Sequence, residues 1–524
     1  MKKIIYSSLL LGAVLMTSCA EDYTETQQGT NFSSEQIEAM LANPEKATIA
    51  INAAERGKER SRAISGFAEV GSHEDFGQKA VDIYMDAMSN DMVILRNDWF
   101  AYAYTYQDRV ETGNTATIYN YFAKSIALTD NAIQLLMKSD KNYANTPIYA
   151  RLLAFRGYAY LYLTQLYSHD GKSVPFSYVD ESGVEHRSES RISVEKMNEN
   201  IKKELTQAFD ILEKTAFVRS DKSVIDKNVV AGILSRYNLY IKNWSEAQRY
   251  ALIAMDNKAD FNDFSVVNSG TFSQLNNQDW MWGYPIDGSN TGFFASYFSH
   301  MDTFNQGYGR RGATTKGIDR RLYDGMNSTD KRKNEWFADG VKKYTSKYWT
   351  VKDPIAIPKY VNMKFRDDSN FQGDYLYMRK TEMYFNYMEA MAVNNPAQAQ
   401  GLLEKYMTSR DAKYSFEGRD KSGKEFGMSR ETLMDEIRFQ KRIEFWGEGF
   451  ALLDMKRWDL GLQRKYGKAI LNDKNEIVNE GTLSNHRYNP GLFDLPVRSN
   501  SFILQFPLNE INVYRGRLEQ NPVE

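Results

Sequence analysis

Hydrophobic residues recur at helical spacing through the first half of the chain. Residues 35–62 and 78–96 carry the pattern of amphipathic helices. Over 115–138, Ile118, Phe122, Ile126, Ala127, Ile133 and Leu136 fall on one helical face. Further helical patterns run over 145–167, 193–214, 226–241 and 245–257. The last two form a hairpin in which Asn243-Trp244 makes the turn and Ser245 is placed to cap the second helix. Two more hairpins are expected, one over 377–411 around the Asn394-Asn395-Pro396 turn and one over 429–461.

Between 258 and 376 the helical period fades, and Gly, Asn, Asp, Ser and aromatic residues dominate; 462–507 is similar. A long stretch of that kind inside a folded chain is usually functional. In the 226–257 hairpin, Leu234, Ser235, Ala247, Ala251 and Ala254 lie close to the leucine and small-residue positions of a tetratricopeptide repeat, where small side chains let two helices approach. The expected fold is therefore all-α: tetratricopeptide-like helical hairpins, wound as a partial solenoid, with a large irregular, loop-rich, ligand-binding half.

The N-terminus bears on compartment. In residues 1–18 two lysines precede a short apolar run that ends in small residues, which is a secretory signal and too short for a membrane span. Cys19, the single cysteine of the chain, follows at once. Met16-Thr17-Ser18-Cys19 resembles the lipobox of bacterial lipoproteins, with Met16 where Leu is usual. The resemblance implies lipidation of Cys19, and several acyl chains on one residue anchor stably. Residues 19–34 are polar and read as a lipidated tether, leaving 35–524 as a single domain with its irregular insert at about 258–376.

Composition narrows the function. The formal net charge is −2, and loss of Lys2 and Lys3 with the leader makes the chain more negative, so it has no electrostatic footprint for nucleic acid. The five histidines are scattered without metal-ligand spacing, so neither a metal nor a cofactor is expected. Gly307-Tyr308-Gly309-Arg310-Arg311-Gly312 matches GxGxxG in letters, but no apolar strand precedes it and no clear helix follows. Arg442, Glu444, Glu448, Asp454, Arg457 and Asp459 raise the question of paired catalytic carboxylates. Their alternation with arginine is instead the pattern of ion-paired packing, because a general acid needs a raised pKa and arginines lower it.

The aromatic content is the unusual figure: 34 Tyr, 28 Phe and 8 Trp, with Tyr the most frequent, which suits wet amphipathic surfaces. One cluster is Asn97-Asp98-Trp99-Phe100-Ala101-Tyr102-Ala103-Tyr104-Thr105-Tyr106. Another is Trp280-Met281-Trp282-Gly283-Tyr284, whose alternation would put three large rings on one face of an extended segment. Asp287 to Tyr308 adds Phe293, Phe294, Tyr297, Phe298 and Phe304, with Asn290 and Asn305. Flat rings cover the CH face of a sugar, while Asn, Asp, Gln or Arg pair with its hydroxyls.

Four ordered segments resemble the SusD/RagB family. They are Ala150-Arg151-Leu152-Leu153-Ala154-Phe155-Arg156-Gly157-Tyr158 running on to Tyr167 and Pro175; Arg191-Ile192-Ser193-Val194 with the helix to Leu212; the 229–255 hairpin; and Ile437-Arg438, Arg442-Ile443-Glu444-Phe445, Gly447-Glu448-Gly449, Leu453-Asp454 and Arg457-Trp458-Asp459-Leu460. Phe506-Pro507-Leu508, Glu510-Ile511-Asn512 and Gln520-Asn521-Pro522 match the usual close. The chain departs from the pattern at Gly171, displaced from its usual place before Pro175, and at Tyr514-Arg515-Gly516-Arg517. The resemblance implies a non-enzymatic lipoprotein of the outer membrane that captures oligosaccharides and delivers them to a SusC-like TonB-dependent transporter. The acidic Ala20-Glu21-Asp22 resembles the export tag to the extracellular face. Carried onto this chain, the family's ligand-contacting loops give Trp99, Tyr102, Trp282 and Tyr284, with Asn97, Asp98 and Asp287 as polar candidates. The competing readings are the same frame holding peptides or another nutrient, a glycosidase, and a helical scaffold that binds only proteins.

Overall fold

The computed structural model describes residues 73–523, apart from 97, 108–112, 269, 289–290, 311–313, 347–353, 422–427, 466–469, 472–476, 480–483 and 487–491. The expected leader, Cys19, the tether and the 35–62 helix lie outside the described residues. The described part opens with α1 (Gln78–Ala87), β1 (Met92–Ile94), α2 (Ala101–Tyr104), α3 (Gly113–Ser139) and α4 (Pro147–Tyr167). A hairpin of β2 (Ser177–Val179) and β3 (Glu185–Arg187) precedes α5 (Val194–Lys214), α6 (Lys227–Tyr240) and α7 (Trp244–Ala254). Then come β4 (Trp280–Tyr284), α8 (Tyr297–Met301), β5 (Lys316–Ile318), α9 (Arg320–Asp324), α10 (Lys331–Glu335), β6 (Lys343–Tyr344), β7 (Ile355–Ala356) and β8 (Tyr375–Arg379). The frame resumes with α11 (Lys380–Asn394), α12 (Pro396–Arg410), α13 (Leu433–Glu444) and α14 (Ala451–Arg457).

Each helix of the frame packs on the next, α3 on α4, α4 on α5, α5 on α6 and α6 on α7, and α11 then docks on α7 and carries α12 and α13. The boundaries follow local chemistry. Thr146 accepts the Tyr149 N–H with Pro147 at the first helical position, and Ser193 and Asp226 cap α5 and α6 in the same way. Asn243, not Ser245, caps α7, because its side chain accepts the Glu246 N–H. Thr432 and Asp435 form a reciprocal capping box on α13.

The 78–96 pattern divides into a helix and a strand. Ser89 Oγ donates to Asp86 O at 2.7 Å and accepts the Asp91 N–H at 3.0 Å, so its side chain takes over backbone bonds that would continue the helix. Met92–Ile94 then pairs antiparallel with Lys316–Ile318.

The 258–376 region carries short strands and helices rather than loops alone, and it supplies core. Phe264, Phe272, Phe298, Trp336, Phe337 and Phe365 are all buried there. The expected one-face display of Trp280, Trp282 and Tyr284 does not occur. The β4–β8 register shifts between Trp280 and Trp282 and again before Gly283, and all five residues of β4 are buried. Trp280 meets Phe272, whereas Trp282 packs edge-on against Tyr158 of α4 and against Tyr377.

Buried charge ties the irregular half to the frame. Arg379, at the end of β8, bonds Asp279, Glu444 and Glu448 through all its N–H positions, at 2.8–3.2 Å. Arg332 and Arg410 approach Glu444 at 3.6 and 3.5 Å, and the Tyr406 hydroxyl donates to it. Lys364 donates to the Glu444 and Trp446 carbonyls and to Glu448 at 2.6–2.9 Å. Burial alone would raise the Glu444 carboxyl, but Arg410, Arg379 and Arg332 outweigh it and hold the group well below the carboxylate range. The turn between α13 and α14 requires Gly447: its φ is 81°, and a Cβ there would stand 2.3 Å from the Phe365 ring. Arg457 forks onto Glu389 at 2.6 and 2.7 Å, and Arg442 bonds Asp91. The arginine–carboxylate alternation is thus ion-paired packing between elements.

The other quoted segments also meet. Asn521 donates to the carbonyls of Tyr167 and Leu504, Arg191 donates to Asn521 at 2.8 Å, and the Arg191 guanidinium lies 5.3 Å from the Phe506 ring. The C-terminal segment is therefore locked to the end of α4.

Two predictions follow from the buried groups. Glu444→Leu leaves three arginines without their shared counter-charge and should lower unfolding free energy by about 3–5 kcal/mol in urea titrations; a loss below about 1 kcal/mol would refute the network's role. His300, in the last turn of α8, is wholly buried. Burial, and then the Lys316 ammonium, push its imidazole from 6.5 down to about 3. The unfolded chain protonates this group below its ordinary pKa while the folded chain does not, so its contribution to stability is present above that pH and lost on acidification. At about pH 5 the loss amounts to about 2 kcal/mol. Relative to His300→Phe, the wild type should lose that amount between about pH 7.5 and pH 5; a pH-independent difference would show that the imidazole takes up its proton in the fold as readily as in the unfolded chain.

Candidate aromatic ligand platform

The first aromatic cluster and the 293–308 segment come together in space. Trp99 is 38% exposed and Phe294 46% exposed, and both lie against His73. The His73 ring lies 5.2 Å from Trp99, 6.4 Å from Phe294 and 5.6 Å from Tyr308, centre to centre. Tyr308 stands edge-on to Trp99 at 5.8 Å and tilted against Phe294 at 5.8 Å. The Tyr308 hydroxyl and His73 Nδ1 share a hydrogen bond, which fixes the edge of one ring against the other. These four rings form an outer layer. Phe293, 57% exposed, stands beside it with φ of 49°, a left-handed backbone unusual for a large side chain.

A buried layer supports them. His300 stacks under Tyr308 at 4.9 Å, lies against Phe76 at 5.4 Å and meets Phe100 edge-on at 5.1 Å. His300 Nε2 donates to the His73 carbonyl at 2.8 Å, so its neutral form has the right tautomer to hold the outer residue. Phe371 supports Phe294 from the 366–374 loop at 5.7 Å, and the Thr291 hydroxyl donates to the Phe371 carbonyl.

The letters of the glycine-rich motif have a packing explanation. A Cβ at Gly307 would stand 2.6 Å from the Ser299 backbone, and one at Gly309 would stand 2.7 Å from the His300 carbonyl. Gly309 N donates to Ser299 O at 2.6 Å. The glycines let this segment cross α8 closely and present Tyr308; they do not cradle a phosphate. Arg310 is exposed beside it, and Arg311 and Gly312 lie outside the described residues.

The candidate residues fall into distinct places. Trp99 lies in the outer layer and Tyr102 is 56% exposed on α2, one turn along. Asp287 is exposed at the start of the turn whose Thr291 N–H bonds the Asp287 carbonyl. Asn97 and Asn290 lie outside the described residues. Asp98 is buried: one carboxylate oxygen accepts the Phe100 N–H and the other pairs with Lys316 at 2.8 Å. Trp282 and Tyr284 are 3% and 8% exposed and belong to the core, on the strand paired with β8, with Trp282 against Tyr158 of α4. Their burial comes from the β4–β8 pairing, which the alternation of rings did not disclose. His73 and Tyr308 are additions. Tyr308 sat in the glycine motif, and His73 had no distinguishing signal in the sequence.

The arrangement offers ring faces with hydroxyl and imidazole edges, suited to a ligand with apolar faces and polar rims. Glu444 and Glu448 are enclosed among arginine and lysine, with Glu448 also held below the carboxylate range against burial by Arg379 and Lys364. Neither is poised as a general acid. Among the described residues, no three His, Cys, Asp or Glu side chains form a group able to hold a metal ion, and no helix is long and apolar enough to cross a membrane.

Known proteins share this architecture. The chain is similar to a SusD-like carbohydrate binding protein from Bacteroides vulgatus ATCC 8482, with TM-score 0.69 and 22% identity over 91% of this chain and 97% of that one. It is similar to a SusD superfamily protein from Bacteroides thetaiotaomicron VPI-5482, with TM-score 0.65 and 18% identity over 92% and 100% of the two chains. A SusD superfamily protein from Parabacteroides distasonis ATCC 8503 matches with TM-score 0.65 and 15% identity over 94% and 100%. No curated protein sequence matches. The SusD family model matches residues 258–523, the half that holds the ion network and the Phe294 and Tyr308 rings of the platform, and the chain belongs to the SusD family.

Proposed function

We propose that this protein captures oligosaccharides at the cell surface on the His73–Trp99–Phe294–Tyr308 platform and delivers them to a SusC-like TonB-dependent outer-membrane transporter. The observation that carries the reading is the outer ring layer, in which Trp99 and Phe294 are exposed and His73 and Tyr308 half-buried, assembled from three separate stretches of chain over a buried aromatic base. Sugar CH faces would lie on the rings, and hydroxyls would meet the edges of Tyr308, Tyr102 and Asp287. Trp282, Tyr284 and Asp98 would act from below, by shaping the body on which the platform rests. Membrane attachment would come from acylation of Cys19, which keeps the platform outside and next to the barrel. The protein acts by binding and release. Its most acidic constellation is committed to ion pairs, which leaves a glycosidase without a proton donor there.

The test is calorimetry of the full chain against maltohexaose, xylohexaose, cellohexaose and mannohexaose, with chromatography for products. At least one should bind without being cleaved. Trp99→Ala should weaken that binding tenfold or more, about 1.4 kcal/mol, with unfolding unchanged. Binding to none of the panel, or Trp99→Ala binding like the wild type, would sink the proposal.

A further inference from the structure

We infer that Lys316 is the positioning residue of the platform: acting through Asp98, it fixes where Trp99 stands and so sets how tightly the rings hold a sugar. The inference rests on the reading of the platform as the sugar site. Lys316 opens β5, where it pairs with Ile94 of β1, four residues before Asp98. Its side chain and that of Asp98 are fully buried, and the ion pair joins residues far apart in sequence at 2.8 Å. The same ammonium donates to the His300 carbonyl at 3.1 Å and lies 5.5 Å from the Phe100 ring.

Both oxygens of Asp98 are thereby committed. Oδ2 takes the ammonium, and Oδ1 takes the Phe100 N–H at 2.8 Å, on the far side of Trp99. The Asp98 carbonyl also accepts the Ala101 N–H at 3.0 Å. The backbone of Trp99 is therefore clamped before and after the residue, with its ring left outside. On its other side, Lys316 holds the carbonyl of His300, whose ring supports Tyr308. One cation joins the two segments whose rings meet edge-on at 5.8 Å.

An apolar pair of similar shape would avoid the several kcal/mol needed to desolvate each ion, so stability alone is a weak reason for this pair. What the pair supplies is direction. A carboxylate with one oxygen on an ammonium and one on a backbone N–H has a single orientation, and binding geometry has to be held to within about 0.5 Å to be productive. A leucine or methionine at position 316 would fill the space without fixing the loop.

The test uses the full chain with Lys316→Met, Asp98→Asn and the double variant. Asp98→Asn keeps an acceptor for Phe100 and removes the charge. Acrylamide quenching of Trp99, taken as the difference between each protein and its Trp99→Phe counterpart, reads the ring's position without ligand. Calorimetry with whichever of the four hexasaccharides binds the wild type reads the site. Each single variant should change the Trp99 quenching constant at least twofold and weaken binding at least tenfold, and the double variant should be no worse than the poorer single one. Folded variants with quenching and affinity within twofold of the wild type would overturn the inference, as would losses that simply multiply in the double variant. If Lys316→Met does not fold, Asp98→Asn decides by the same two readouts. If no hexasaccharide binds the wild type, the sugar reading falls, and the quenching difference still judges whether Lys316 positions Trp99.

Discussion

The guanidinium of Arg379 is the interaction on which most of this structure depends. It sits at the junction between β8 and α11, with three carboxylates from two distant stretches around it: Asp279 before β4, and Glu444 and Glu448 at the end of α13 and in the following turn. Burying such a group is expensive, and only a complete set of partners makes it tolerable. The structure supplies that set, with Lys364 closing the carbonyls and Glu448 from a further segment. As a result the irregular half cannot shift against the helical frame without breaking charge-assisted bonds in a water-free place. The hydrophobic core provides the bulk of cohesion, and the ion network provides the register in which irregular segments meet regular ones.

The platform repeats this logic on a smaller scale. Its outer rings are held by a buried aromatic layer, a neutral histidine and one buried ion pair. Exposed rings on loops would ordinarily be mobile; here the backbone on each side of Trp99 is bonded to its neighbours and Tyr308 is pressed against α8 by two glycines. Pre-ordered rings lose little conformational entropy when another group packs on them.

The SusD family membership and the low identity to solved structures fit together through this division of labour. The segments that carry the resemblance, from Arg156 to the Glu444–Glu448 turn and Asn521, are the ones that close buried networks. They specify the frame. The platform residues lie outside those segments, in loops that tolerate substitution better than the buried networks do.

The sequence by itself determined the helices and the closures between them. The spacing over 115–138 and 145–167 and the alternation of arginine with carboxylate around Glu444 are local signals read by local physics, whereas the cap expected at Ser245 is made by Asn243. Several boundaries and surfaces were decided elsewhere. The strand at Met92–Ile94 exists because β5 is there to pair with it. Trp282 and Trp99 are alike as letters in aromatic clusters, yet β-bulges and the α4 face bury one while a clamped turn exposes the other. His73 joined the site because the fold returns residues 294 and 308 to it. Which ring faces water depends on what the rest of the chain places over it, and contacts between residues more than two hundred positions apart leave no periodic trace in the sequence.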